Sequence, residues 1–219
     1  MSGLTPIPRG APLRAEVYAR VVGLVLDGAY GPGAALTEAA LSRALDVSRT
    51  PVREALLRLE AEGVLESAPA RGFTVRPLLA EEAAELYPIL AALEALAVRT
   101  GAGSDAGLAD RLDPVFAELA SCADPVRRWR LDSAGHDALV AASGNRRLAD
   151  HARRLRTTLS RYELAYMREV RSRQDADRQH REIAAALAAG ESERAAVLVE
   201  RHWHDGMATV LDWLARRPG

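Results

Sequence analysis

Residues 36–60 read LTEAALSRALDVSRTPVREALLRLE. Behind Thr37, whose hydroxyl suits a helix N-cap, Ala40, Leu41, Ala44 and Leu45 recur at the spacing of one helical face. Asp46-Val47-Ser48 interrupts that face with a polar, turn-prone run. A second stripe follows in Val52, Ala55, Leu56 and Leu59. Ser48 is placed to cap it, and Pro51 falls in its first turn, where a missing N–H costs no hydrogen bond. Two short helices joined by a tight turn make a helix-turn-helix.

Upstream, Leu13, Val17, Val21, Leu24 and Val25 keep helical spacing until the run from Gly28 to Gly33 stops them. Residues 1–12, with several prolines and glycines, read as a flexible leader. Downstream, the second short helix ends at Gly63. Val64-Leu65-Glu66 and Phe73-Thr74-Val75 then flank Pro69, Arg71 and Gly72 as a small β-hairpin. Beyond Pro77 every segment is helical in character: Ala80 to about Thr100, Asp105 to about Cys122, Pro125 to about Ala142, Arg146 to about Arg171, Asp175 to about Ala189, and Glu191 to about Arg216. The expected fold class is mainly α. An N-terminal winged helix-turn-helix over 13–77, with a small β-hairpin wing, precedes a C-terminal all-α six-helix bundle over 80–216.

Composition narrows the function. The 219 residues are 48% hydrophobic, enough to fill one large core or two ordinary ones. No N-terminal apolar run reads as a signal peptide, and no stretch approaches the roughly 20 apolar residues that cross a bilayer. The expectation is a soluble, cytoplasmic protein with no membrane partner. One cysteine, Cys122, excludes a disulfide framework and a cysteine-rich zinc site, so any metal must use His and carboxylate. A net charge of -1 leaves no overall basic footprint. All basic residues are Arg, a bias that runs through the whole chain and reads as composition rather than as a device of one site.

Nucleic-acid contact must therefore come from placement. Arg49 and Arg53 stand four apart on the face opposite Val52, Leu56 and Leu59, with Thr50 beside them. An Arg there reaches the acceptor edge of guanine, while the hydroxyls of Ser48 and Thr50 suit phosphate. Read without further context, the same arginines are a solvated helix face pairing with Glu54 or Asp46, and Arg71-Gly72 is a plain hairpin turn.

The run Val47-Ser48-Arg49-Thr50-Pro51-Val52-Arg53-Glu54-Ala55-Leu56, followed by Leu59-Glu60-Ala61-Glu62-Gly63-Val64-Leu65 and Arg71-Gly72-Phe73-Thr74-Val75, resembles the GntR family of bacterial transcriptional regulators. The resemblance covers about Leu13 to Pro77. It implies that Arg49, Thr50 and Arg53 contact a double-stranded DNA operator, with Gly72 at the wing tip beside Arg71. Ala39 and Ala40 depart from relatives that carry a base there, which leaves Arg43 as the base of the first motif helix.

Five histidines lie in the chain. Asp132 and His136 are four apart on one expected helix, so they share a face and can grip one ion. His180 and His202 fall on two later helices, and a bundle can bring one carboxylate and three imidazoles together. Such a set suits zinc or nickel and leaves positions open for a ligand oxygen.

The order of Glu81 to Glu94, Asp132-x-x-x-His136, Ala142-Ser143-Gly144-Asn145, Gln179-His180-Arg181-Glu182-Ile183 and Arg201-His202 resembles the FadR-type branch of the same family, with its helical FCD ligand-binding domain. That resemblance implies that Asp132, His136, His180 and His202 are metal ligands. It also implies a carboxylate or related small-molecule effector near the ion, and a homodimer on a palindromic operator. His151 and His204 have no counterpart in the pattern. Gly135 stands where a large apolar residue is common, implying a wider cavity. Leu90 replaces an Arg of many members, implying the loss of a positive partner for an acid. Asn145 is a candidate for the effector pocket and, by type and position, for an N-cap.

These features imply an effector-responsive regulator, a repressor released by a small organic acid. Two rivals use the same residues. In one the metal itself is the signal. In the other, a metal-dependent hydrolase, the ion activates water, but no separate Glu or His is placed as its general base.

Overall fold

The computed structural model describes residues 13–26, 29–68, 72–101, 105, 107–169 and 174–217. The chain divides into two compact units, Met1–Leu78 and Leu79–Gly219.

The first unit runs α1 (Leu13–Leu26), β1 (Ala35–Leu36), α2 (Glu38–Leu45), α3 (Arg49–Ala61), β2 (Leu65–Ala68) and β3 (Gly72–Val75). Val17, Val21 and Val25 recur every four residues on α1, and that stripe is buried with Leu41 and Leu45 of α2 and Val52, Leu56 and Leu59 of α3. Burial of each such side chain contributes about 1.5–3 kcal/mol. Thr37 caps α2, its hydroxyl accepting the Ala40 N–H at 3.3 Å. Asp46 turns the chain with a left-handed φ of 53°, and the next amide, Val47, donates to the Ser42 carbonyl at 3.1 Å. Ser48 occupies the N-cap position of α3, but, against expectation, its side chain makes no capping hydrogen bond.

The wing is more than a hairpin. Its strands lie in the order β1-β3-β2, all antiparallel, with Ala35 opposite Thr74 and Leu65 opposite Val75. A two-residue strand has too little alternation to be read as β1 from sequence. Gly72 opens β3 with φ 82°, and a Cβ there would lie 2.8 Å from the Leu36 carbonyl oxygen. The glycine is thus required by close pairing with β1 as well as by its backbone angle. Arg71 lies outside the described residues.

The second unit consists, among the described residues, of α4 (Ala80–Gly101), α5 (Leu108–Ser121), α6 (Pro125–Ala141), α7 (Arg146–Glu169), α8 (Gln174–Ala188) and α9 (Ser192–Ala215). Helix α4 lies along α9, and small residues line their buried faces: Ala83, Ala91 and Ala95 on α4, Ala195 and Ala196 on α9. Helix α6 packs on α5 and α7, and α8 on α5 and α9, so α6, α8 and α9 turn faces toward one interior. Asp124 caps α6 through the Arg127 N–H at 2.7 Å, and Pro125 follows in the first turn. No described helix is long and apolar enough to cross a membrane.

Candidate metal centre and nucleic-acid face

On the first unit, Arg43, Ser48, Arg49, Thr50 and Arg53 are all exposed. The Arg53 side chain is 67% exposed, with its Nε 3.7 Å from a Glu38 carboxylate oxygen, an exposed pair too weakly held to retain it. The partner is Glu38 rather than Glu54, which pairs with Arg14 at 3.0 Å. Arg43 bends back along α2, its Nε donating to the Ala39 carbonyl at 3.2 Å. Helix α3 therefore presents two guanidinium groups and two hydroxyls at its N-terminal end, where the backbone amides also favour an anion.

The second unit gathers its chemistry inside. Helix α6 supplies Asp132 and His136, α8 supplies His180, and α9 supplies His202. Their exposures are 8%, 0%, 1% and 8%. One ligand atom from each lies within 4.8 Å of all the others. His180 Nε2 is 3.4 Å from His136 Nε2 and 3.3 Å from Asp132 Oδ1. Tetrahedral ligands held at 2.0–2.1 Å from zinc stand about 3.3–3.4 Å apart, which these two separations match, while the full set lies within 4.8 Å.

The outer nitrogens are tied as metal-bound histidines require. His136 Nδ1 lies 2.6 Å from Glu94 Oε2, and His202 Nδ1 lies 2.9 Å from Gln179 Oε1. Each ring thereby presents Nε2 to the centre. His180 is held differently: its Nδ1 is buried without a partner, and its ring stacks on Phe116 with centroids 4.6 Å apart. Glu94 is wholly buried, ion-paired with Arg156, and accepts the Trp203 indole N–H at 2.8 Å. Gln179 is fixed in turn by donating to Asp205 at 2.6 Å.

Electrostatics sort the imidazoles. Burial, then the charge on neighbouring His136, pushes His202 down to about 3. Burial, then His202 and His136, likewise holds His180 well below its ordinary value. Both stay neutral, the form that binds metal. Burial also works against the charged form of His136, but Glu94 outweighs it and raises that ring. Burial would raise Glu94 itself, yet Arg156 and His136 bring it down to about 2.

A cavity of about 540 Å³ lies against this set, its wall including Asp132, His202, Tyr87, Glu163, Tyr166 and Trp203. Glu163 is pushed up to about 8, by burial first and then by the Asp132 charge.

Two expectations need correction here. Asn145 is exposed, caps α7 by accepting the Leu148 N–H at 3.1 Å, and is not among the residues that line the cavity. Gly135 does not widen the cavity: a Cβ there would lie 2.5 Å from the Phe116 ring, which fills that space and so reaches His180. Leu90 is fully buried on α4, and Arg156 on α7 and Arg128 on α6 are buried cations of this unit. His151 and His204 are exposed, apart from the cluster.

Glu94, Arg156, Gln179, Glu163 and Trp203 escaped the sequence reading. The one available signal was Glu94, a lone acid on the otherwise apolar stripe Ala83, Tyr87, Leu90, Ala91, Ala95 and Val98.

A winged helix-turn-helix followed by a helical unit enclosing a metal-competent pocket defines the class of DNA-binding regulators that carry a ligand-binding domain. Residues 13–75 match the profile of bacterial regulatory proteins of the gntR family, and residues 85–205 match that of the FCD domain. The chain belongs to the GntR family, in its FCD-containing form, and is a DNA-binding transcriptional regulator rather than an enzyme. It is 32% identical to the Nta operon transcriptional regulator of Aminobacter aminovorans over 84% of this chain and 87% of that one. The transcriptional repressor GlaR of Escherichia coli is 27% identical over 81% of this chain and 86% of its own. A local match to the regulator YdhC of Bacillus subtilis, at 33% identity, spans 42% of this chain and 41% of that one. Among solved structures, McbR/YncC of E. coli shares the fold, with a TM-score of 0.83 at 23% identity over 94% of this chain and all 100% of that one. A putative GntR regulator from Rhodococcus follows with a TM-score of 0.78 at 26% identity, over 94% of this chain and 99% of that one.

Proposed function

We propose that this chain is a cytoplasmic, homodimeric repressor that leaves a palindromic operator when a small organic acid binds beside a divalent ion, zinc or nickel. One observation carries the reading: Asp132, His136, His180 and His202 converge within 4.8 Å, buried, beside a cavity. These four residues hold the ion. When bound, it supplies a Lewis-acidic anchor for an anionic ligand. Glu94 and Gln179 keep the ligating nitrogens of His136 and His202 turned inward.

On the DNA side, Arg49 and Arg53 read base edges, and Ser48, Thr50 and Arg43 hold phosphate. Gly72 opens a strand of the wing, and the Arg71 charge that precedes it in sequence is a further candidate for DNA contact. Two such faces about one helical turn of DNA apart require a palindromic site. GlaR and the D-xylose utilization regulator of Paenarthrobacter nicotinovorans are described as repressors, which favours repression over activation. Effector and operator binding are coupled reciprocally, by about 1–3 kcal/mol.

Elemental analysis and gel-shift titration test this. The purified protein is expected to carry near-stoichiometric metal that His136→Ala loses, and operator affinity is expected to fall when organic acids are added to the metal-loaded form. Protein free of metal in both variants removes the reading. Operator release by added zinc or nickel alone makes the ion itself the signal.

A further inference from the structure

Glu163 is a buried acid that the metal set does not use. It stands on α7 and lines the cavity with Asp132 and His202. The residue is 7% exposed, and its Oε2 meets no hydrogen-bond donor. An unpaired buried carboxyl oxygen is costly, and more so if it is charged. Folded proteins keep few such atoms, and each asks for its missing partner.

The surrounding cations are committed elsewhere. Arg156, seven residues earlier on the same helix face, is ion-paired with Glu94 and Asp137. On the cavity wall, Arg178 pairs with Asp175 at 2.7 Å and Arg201 with Asp205 at 3.4 Å. What Glu163 lacks is therefore a donor; its side chain lines the cavity, although Oε2 itself is closed off from solvent. The terminal torsion of a Glu side chain is soft, so an oxygen can swing to a ligand without moving α7.

We propose that the effector is an acid that also carries an N–H or O–H donor, an ammonium or hydroxyl group, and that Glu163 reads that donor from the cavity wall. The inference rests on the metal-assisted effector reading above. An acid with no donor would leave the Glu163 oxygen unpaired. An amino or hydroxy acid places its carboxylate on the ion side and its donor on Glu163, so one molecule answers both ends of the pocket.

Calorimetric titration of the metal-loaded, full-length protein with matched pairs decides the matter: succinate against aspartate and malate, glutarate against glutamate, hexanoate against 6-aminohexanoate. In at least one pair the donor-bearing acid is expected to bind about tenfold more tightly. Glu163→Gln, which keeps the shape and replaces one carboxyl oxygen with an amide N–H donor, is expected to shrink an ammonium preference to about threefold or less. Glu163→Leu, which removes the acceptor altogether, is expected to do the same for a hydroxyl. Metal content should not change in either variant. Equal binding within every pair, or a preference that survives both substitutions, overturns the inference and leaves the effector reading standing. If the protein holds metal yet binds no member of any pair, the effector reading falls and takes this inference with it.

Discussion

The exposed end of α3 and the interior of the helical unit handle charge in opposite ways. Arg49 and Arg53 are exposed, and Arg53 forms a loose 3.7 Å pair with Glu38. His136 and Glu94 are 0% exposed, and Glu94 alone engages His136, Arg156 and Trp203. Charges that must meet a changing partner are left free, whereas charges that must hold one geometry are tied from several sides. The first arrangement contributes little to folding. The second makes folding depend on every member of the network.

The contrast is most exposed to failure at Glu94. Glu94→Ala leaves His136 without its carboxylate and Arg156 with Asp137 alone, and the unfolding free energy measured in urea is expected to fall by about 3–5 kcal/mol. A neutral result would mean that the buried network does not hold the helical unit together. At the other extreme, Arg49→Ala and Arg53→Ala are expected to leave stability within about 0.5 kcal/mol, while each weakens operator binding in a gel shift by about 1–3 kcal/mol. Stability losses as large as the binding losses would erase the difference between the two regions.

Acid sharpens the same comparison. His202 is held neutral down to about 3, against an ordinary value of 6.5, so below pH 6.5 the unfolded chain takes up a proton there that the folded chain refuses. The stabilisation present above pH 6.5 is therefore lost as pH falls. Relative to His202→Gln, the metal-free wild type should lose about 1.4 kcal/mol per pH unit in this window. Denaturation curves that keep a constant gap across pH would contradict the assignment. Last and smallest, Asn145→Ala should cost about 1 kcal/mol of stability as a lost cap and leave operator binding unchanged. Any change in the response to acids would return Asn145 to the pocket.

What could be read from the residues was whatever local periodicity controls. The stripes of α1 to α3 and the breaks between α4 and α9 are short-range patterns, and the elements follow them closely. The pairing of Asp132 with His136 was visible for the same reason, being one turn of one helix. Strand β1 was not, because two residues carry no period and exist only by pairing with β3. Nor were the contacts of Glu94 with Arg156 and of Gln179 with His202, which join residues 62 and 23 positions apart. Those depend on helix packing, which local spacing does not encode. Asn145 misled because the residue type that caps a helix also suits a polar pocket, and only the Leu148 amide decides between them.

The contact between Trp203 and the histidines has a use of its own. Its indole ring lies 4.7 Å from His136 and 5.7 Å from His202 by centroid, and its N–H is fastened to Glu94. The protein thus carries an optical probe at the wall of its own pocket. An ion with a partly filled d shell would dim the emission of that indole on entry, and a ligand arriving beside it would shift the colour. With Trp129 and Trp213 replaced by Phe, loading and response can then be followed by light on the unlabelled chain.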